Sequence, residues 1–180
     1  MSTFKQRSDF FKLIATKNKL IAHNATIEGT KKRASFHRVN DEEELNAACD
    51  NWAHFPCVVH IGHDLRFKQP QTGLPRKHIG NHLNFLTPLD YQQSTISKAD
   101  AIENAFDLTY TAMAQFISYL RQEHENNKNC GSNLFLFDLN RCKADQIGPI
   151  GKGSLYGWFL YFEDELKCPE FIYDASKWNN

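Results

Sequence analysis

Cys57-Val58-Val59-His60-Ile61-Gly62-His63-Asp64-Leu65-Arg66-Phe67 is the stretch that decides the fold. Its odd positions are Cys57, Val59, Ile61, His63, Leu65 and Phe67; its even positions are Val58, His60, Gly62, Asp64 and Arg66. Alternation with a period of two predicts a strand with a buried odd face and a mostly polar even face. On that reading His60 and His63, three apart, fall on opposite faces. Downstream, Gln69–Asn81 contains Pro70, Gly73, Pro75 and Gly80 and reads as a loop. His82–Leu89 alternates again, with Leu83 and Phe85 on one face, and is expected to pair antiparallel with the first strand.

The longest helix is expected over Ser97–Glu125, where Ile102, Ala105, Phe106, Tyr110, Met113, Phe116, Ile117 and Leu120 follow helical spacing. Ser97 and Asp100 have the spacing of a capping box. Upstream, Asn40-Asp41-Glu42-Glu43-Glu44 suits a helix start, with Asn40 or Asp41 as cap and an acidic first turn. That helix runs to about Trp52 and stops before Pro56. A first helix is expected over Ser8–Ala22, capped by Ser8, then a loop and a short strand near Ala34–Val39. Near the C-terminus, Leu134–Leu139 reads as a strand, Gly148–Gly153 as a turn or loop, and Leu155–Phe162 as a strand apolar on both faces, hence central. Phe171, Tyr173 and Trp178 are the candidates for docking the tail. The order predicts an α+β fold: a mostly antiparallel sheet of four to five strands, with one long and two shorter helices packed on one face.

The chain has 180 residues and reads as a single domain, 1–180. Lys plus Arg and Asp plus Glu number 21 each, which excludes a strongly basic nucleic-acid binder as a global description. No run approaches the length of a membrane-spanning helix. The N-terminal residues lack the apolar core of a secretory signal, so the expected location is cytoplasmic. Cys49, Cys57, Cys130, Cys142 and Cys168 are odd in number and contain no Cys-x-x-Cys pair, which argues against a disulfide framework or a four-cysteine zinc site.

Motifs with chemistry are sparse. Five of the eight histidines lie between His54 and His82. His60, His63, His78 and His82 are the candidate ligands of a small metal-dependent hydrolase, but they do not match the His-Glu-x-x-His pattern. Cys57, flanked by His54 and His60, has the residue types of a nucleophilic dyad, although a cysteine in an apolar row ordinarily serves as a small core residue. Gly148-Pro149-Ile150-Gly151-Lys152-Gly153-Ser154 has the wrong spacing for a phosphate loop and precedes a strand. The basic runs Lys31-Lys32-Arg33 and Arg76-Lys77-His78 suit phosphate contacts, which makes a nucleic-acid-associated adaptor a further alternative. No catalytic residue and no cofactor is assigned.

Phe36-His37-Arg38 before an acidic helix start, Phe55-Pro56-Cys57-Val58-Val59, the long helix from Asp100, Ile147-Gly148-Pro149-Ile150 and Tyr156-Gly157-Trp158 occur in that order. This arrangement resembles structural proteins of phage-like elements of Bacteroidetes. The resemblance implies a non-enzymatic assembly subunit of a tail-like particle, of neck or tail-terminator type, that forms homo-oligomeric rings and meets other particle proteins. The histidine-containing segment Gln69–His82 departs from the pattern. A ring subunit needs a heterologous interface. The candidate interface residues are Arg76, His78 and His82, then Gly148, Pro149 and Lys152, then Tyr156 and Trp158. For Tyr156 and Trp158, core packing is the competing role.

Overall fold

A computed structural model describes residues 4–51, 54–68, 76–89, 96–128, 137–150 and 154–167. Helix α1 spans Phe4–Lys17, followed by a small hairpin of β1 (Thr26–Glu28) and β2 (Lys31–Lys32), strand β3 (Phe36–Val39) and helix α2 (Glu42–Asn51). The long strands β4 (Cys57–Lys68) and β5 (Arg76–Pro88) come next, then helix α3 (Lys98–Lys128), a short 3-10 turn (Leu139–Arg141), β6 (Cys142–Ile150) and β7 (Leu155–Lys167). The main sheet has the order β3-β4-β5-β7-β6. Only β3 and β4 run parallel; the other neighbours are antiparallel. The fold is α+β, with a five-stranded, mostly antiparallel sheet and one long helix. Among the described residues, no helix is long and apolar enough to cross a membrane.

Both faces of the sheet carry a core, so the helices do not all lie on one side. On the first face, Phe11 and Ile14 of α1 and Met113, Phe116 and Leu120 of α3 pack on Val58, Leu83, Phe85, Leu160 and Phe162. Burying a side chain such as Phe116 contributes about 2–3 kcal/mol. On the second face, Leu45 of α2 packs with Val39, Cys57, Val59, Leu86 and Leu155. Val58 and Val59 therefore serve opposite cores, and Val58 and His60 are as buried as the odd row. The expected polar even face of β4 fails at Val58 and His60, which α1 and α3 cover, and holds at the exposed Asp64 and Arg66.

Local chemistry accounts for the helix ends. Asp41 caps α2, its carboxylate accepting from Glu44 N–H at 2.8 Å. Ser97 and Asp100 form the expected box at the start of α3: Asp100 N–H donates to Ser97 Oγ and Ser97 N–H to Asp100 Oδ2. Helix α1 differs from expectation. It begins at Phe4, and its buried stripe is Arg7, Ser8, Phe11, Ile14 and Ala15. The stripe has helical spacing, but its first two members are polar, so apolar periodicity begins a turn late. Ser8 is inside the helix rather than its cap. Tyr110, expected in the core stripe of α3, is more than half exposed.

Three further expectations are corrected. The segment read as a loop through Asn81 is strand from Arg76, so Arg76, His78 and His82 all lie on β5. Gly148, Pro149 and Ile150 belong to β6, an edge strand that the sequence reading missed. Proline is tolerated there because β6 is the edge strand among the described residues and has an irregular register between Ile147 and Ile150. The β1–β2 hairpin lies inside a presumed loop, since such short strands show no usable alternation. Strand β7 is interior, between β5 and β6, as its two apolar faces imply. Of the strand expected over Leu134–Leu139, the described part is Phe137, an extended Asp138 and the start of the 3-10 turn. The tail aromatics Phe171, Tyr173 and Trp178, with Lys152, lie outside the described residues.

Candidate functional site

The two faces of β4, β5 and β7 carry two separate groups of polar residues. The division follows from register. His60 pairs with Leu83, His63 with Asn81 and Asp64 with Gly80, with an irregularity between His60 and His63. Gly62 sits in that irregularity at φ +52°, a conformation that favours glycine. The extra residue brings His60 and His63 to the same face, their ring centroids 4.5 Å apart. The expectation that parity would separate them is thus overturned by a bulge.

On the first face these two rings are tucked under α1. His60 Nδ1 is 3.2 Å from Ser8 Oγ, and His63 Nδ1 is 3.2 Å from Asn81 Oδ1. Phe4 stacks on His63, and Phe11 meets His60 edge-on. Burial holds His60 down to about 3, helped by the neighbouring His63 and Arg38. Burial likewise lowers His63 to about 4, with Arg7 and Arg38 adding to the effect. Arg7 itself is buried, which lowers it to about 10. Two neutral imidazoles beside a buried guanidinium form a poor cation site.

The second face is covered at one end by α2, which packs on β3 and the Leu45 core. At the other end no described element lies over it. There Tyr161 lies across Gly80: a Cβ on that glycine would come within 2.8 Å of the tyrosine ring. The Tyr161 O–H donates to Glu163 Oε1 at 2.7 Å. Glu163 also faces buried His78, with 3.6 Å between Oε2 and Nδ1, and Arg66, with 3.9 Å between Oε1 and Nη1. Asp64 Oδ2 lies 3.0 Å from His82 Nε2. The His82 ring leans on Tyr161 and Phe159 at 5.0 and 5.7 Å. On β6, Lys143 and Asp145 form a 2.7 Å pair beside them. Burial and the Glu163 carboxylate push Tyr161 up to about 12, so its hydroxyl remains a donor at neutral pH. This is a half-open aromatic centre ringed by charges, chemically suited to contact.

The structure separates the candidate metal ligands. His60 and His63 lie on one face, His78 and His82 on the other, and the sheet stands between. Among the described residues, no group of three or more His, Cys, Asp or Glu is placed to hold a metal ion. Cys57 is buried in the second core, and burial pushes the Cys142 thiol up to about 12. Trp158 lies on the first face, its indole N–H donating to Phe106 O of α3 at 3.0 Å. Tyr156 meets Phe106 edge-on and crowds Gly148, whose φ is +139°. Gly148 and Pro149 are on edge strand β6, away from His78 and His82. The structure thus brings His78 and His82 together with Asp64, Arg66, Tyr161 and Glu163, which sequence reading did not single out. The available signal was Gly80, a glycine inside a strand, which often marks a place where another group crosses the backbone.

A groove of about 470 Å³ also runs between α3 and the Phe55–Pro56 segment, lined by Ala101, Ala105, Leu108, Thr87 and Pro88. No family model, curated protein or solved structure matches the chain.

Proposed function

We propose that the protein is a non-enzymatic assembly subunit that associates with copies of itself through the part of the second sheet face that no described element covers. The observation that carries this reading is the surface made by Phe159, Tyr161 and His82, bordered by Asp64, Arg66, Glu163 and the Lys143–Asp145 pair. An aromatic centre with a polar rim is the usual anatomy of a protein–protein contact. The balanced charge, with a pI near 7.1, leaves little long-range repulsion between copies at neutral pH. Membership of a tail-like particle, and closure into a ring, rest on the phage-like resemblance alone. Native mass spectrometry of the untagged protein over a concentration series tests the reading. Dimers or larger species that grow with concentration are expected; a monomer throughout would sink it.

A further inference from the structure

Three histidines converge on the backbone of one short segment, Ala34–Phe36, which leads from the β1–β2 hairpin into β3. Ala34 N–H donates to His54 Nδ1 at 3.2 Å. Ser35 and Phe36 N–H both donate to His23 Nδ1, at 3.2 and 3.1 Å. Ala34 O stands 3.0 Å from His37 Nε2. A backbone N–H can only donate and a carbonyl can only accept. The Nδ1 atoms of His23 and His54 are therefore bare, and both rings are neutral with their proton on Nε2. His37 also carries a proton on Nε2, and its bond survives a second one. His23 is buried, and its Nε2 finds no hydrogen-bond partner among the described residues. The segment in turn ties β3 to the sheet, Val58 N–H donating to Ser35 O at 2.8 Å and His54 N–H to Ala34 O at 2.7 Å. Strand β3 has four residues and is an edge strand of the main sheet among the described residues. Ala22 and Asn24, on either side of His23, have φ of 46° and 64°. Side-chain-bearing residues keep that conformation only where the surrounding structure imposes it.

We infer that His23 and His54 form a proton-operated latch: when neutral they hold Ala34–Phe36, and with it β3, on the edge of the sheet, and when protonated they release it. A proton on Nδ1 turns the acceptor into a donor that faces backbone N–H groups, so protonating both rings removes three hydrogen bonds. The groups around the rings favour the neutral form. Lys12 of α1 and His37 of β3 add positive potential at His23, and His54 adds it at His37. Arg33 closes the same corner by donating to Phe55 O. Strand β4 sets apolar Val58 and Val59 beside Phe36 and His37. Glu28, Lys31 and Lys32 of the hairpin are exposed, as are Asp41, Glu43 and Glu44 of the α2 start. Asp41 and Glu44 are also engaged there, with Glu44 N–H and Asn40. Burial holds His23 at about 4. The latch is therefore fully closed above the free-imidazole value of about 6.5 and opens as the pH falls toward the folded value. Between pH 7 and pH 5, His23 alone shifts the opening equilibrium by about 20-fold. Release uncovers the β4 edge over Val58–Ile61, a row of backbone groups of the kind that pairs with another strand.

Amide hydrogen exchange of the full chain, followed by NMR at pH 7 and pH 5 and corrected for intrinsic rates, tests the latch. The wild-type amides of Ser35 and Phe36 should open about 20-fold or more readily at pH 5 than at pH 7. They should also open more readily than the core amides of Phe116 and Leu120 in α3. In His23→Asn the side-chain oxygen replaces Nδ1 as acceptor and takes no proton, so the rise should be about 20-fold smaller. An equal rise in both proteins overturns the inference, because the proton then acts elsewhere. So do wild-type Ser35 and Phe36 amides that are unchanged by pH, or that open only together with α3. Should His23→Asn fail to fold by circular dichroism, imidazole nitrogen NMR of wild type decides. His23 should carry its proton on Nε2 at pH 7 and take up a second as Ser35 and Phe36 lose protection. A His23 protonated on Nδ1 at pH 7, or charged while both amides stay protected, overturns the inference.

Discussion

Replacing His60 by Asn should remove about 2 kcal/mol of acid sensitivity between pH 7 and pH 5. His60 is fully buried, and burial holds it at about 3 against 6.5 for the free side chain. Below pH 6.5 the unfolded chain binds a proton that the folded chain refuses, so stability falls as pH drops, until the folded pKa is reached. At pH 5 the unfolded imidazole is favoured by about 1.5 pKa units of proton binding, or about 2 kcal/mol, and at pH 7 by almost nothing. Urea denaturation of wild type and His60→Asn at both pH values, at low protein concentration, measures the difference. The asparagine leaves a smaller side chain beside Ser8 and Phe11 and lowers stability at both pH values. That baseline cancels in the comparison. If the variant loses as much stability as wild type between pH 7 and pH 5, His60 takes its proton in the folded state and the buried-neutral account is wrong.

Other perturbations probe the second face and the helix ends. Gly80→Ala places a methyl against the Tyr161 ring and should cost about 1–3 kcal/mol, read from thermal or urea unfolding. Glu163→Gln removes the carboxylate that accepts the Tyr161 hydroxyl, so Tyr161 should titrate at lower pH than in wild type, seen in the ultraviolet absorbance of tyrosinate. Asp41→Ala removes the cap of α2 and should cost about 1 kcal/mol of stability.

The parts of the fold legible in the sequence were those written in apolar periodicity or capping chemistry. The α3 stripe and its Ser97–Asp100 box, the Asp41 cap and the alternating start of β4 are examples. Features written in polar residues were not legible. Arg7 and Ser8 extend the buried stripe of α1 by a turn because they meet His63 and His60, not because they are apolar. The Gly62 bulge shifts parity by one residue and so regroups the histidines, and nothing in a period-two pattern announces it. Strand β6 has Ile147 and Ile150 packed toward the second core and Cys142 toward the first, with its other residues exposed, which leaves it without an alternating apolar signal. The open-face cluster depends on strand register over about a hundred residues of separation between Asp64 and Glu163, which only the folded sheet provides.

Self-association through the open face is tested most directly by sedimentation velocity of wild type beside Phe159→Arg. Phe159 stands on that face next to His82, and its β6 neighbour Asp145 can pair with the new guanidinium and keep the strand in place. The account predicts concentration-dependent dimers for wild type and a folded monomer for the variant. A wild type that remains monomeric at the highest concentration, or a variant that associates as strongly as wild type, would contradict it.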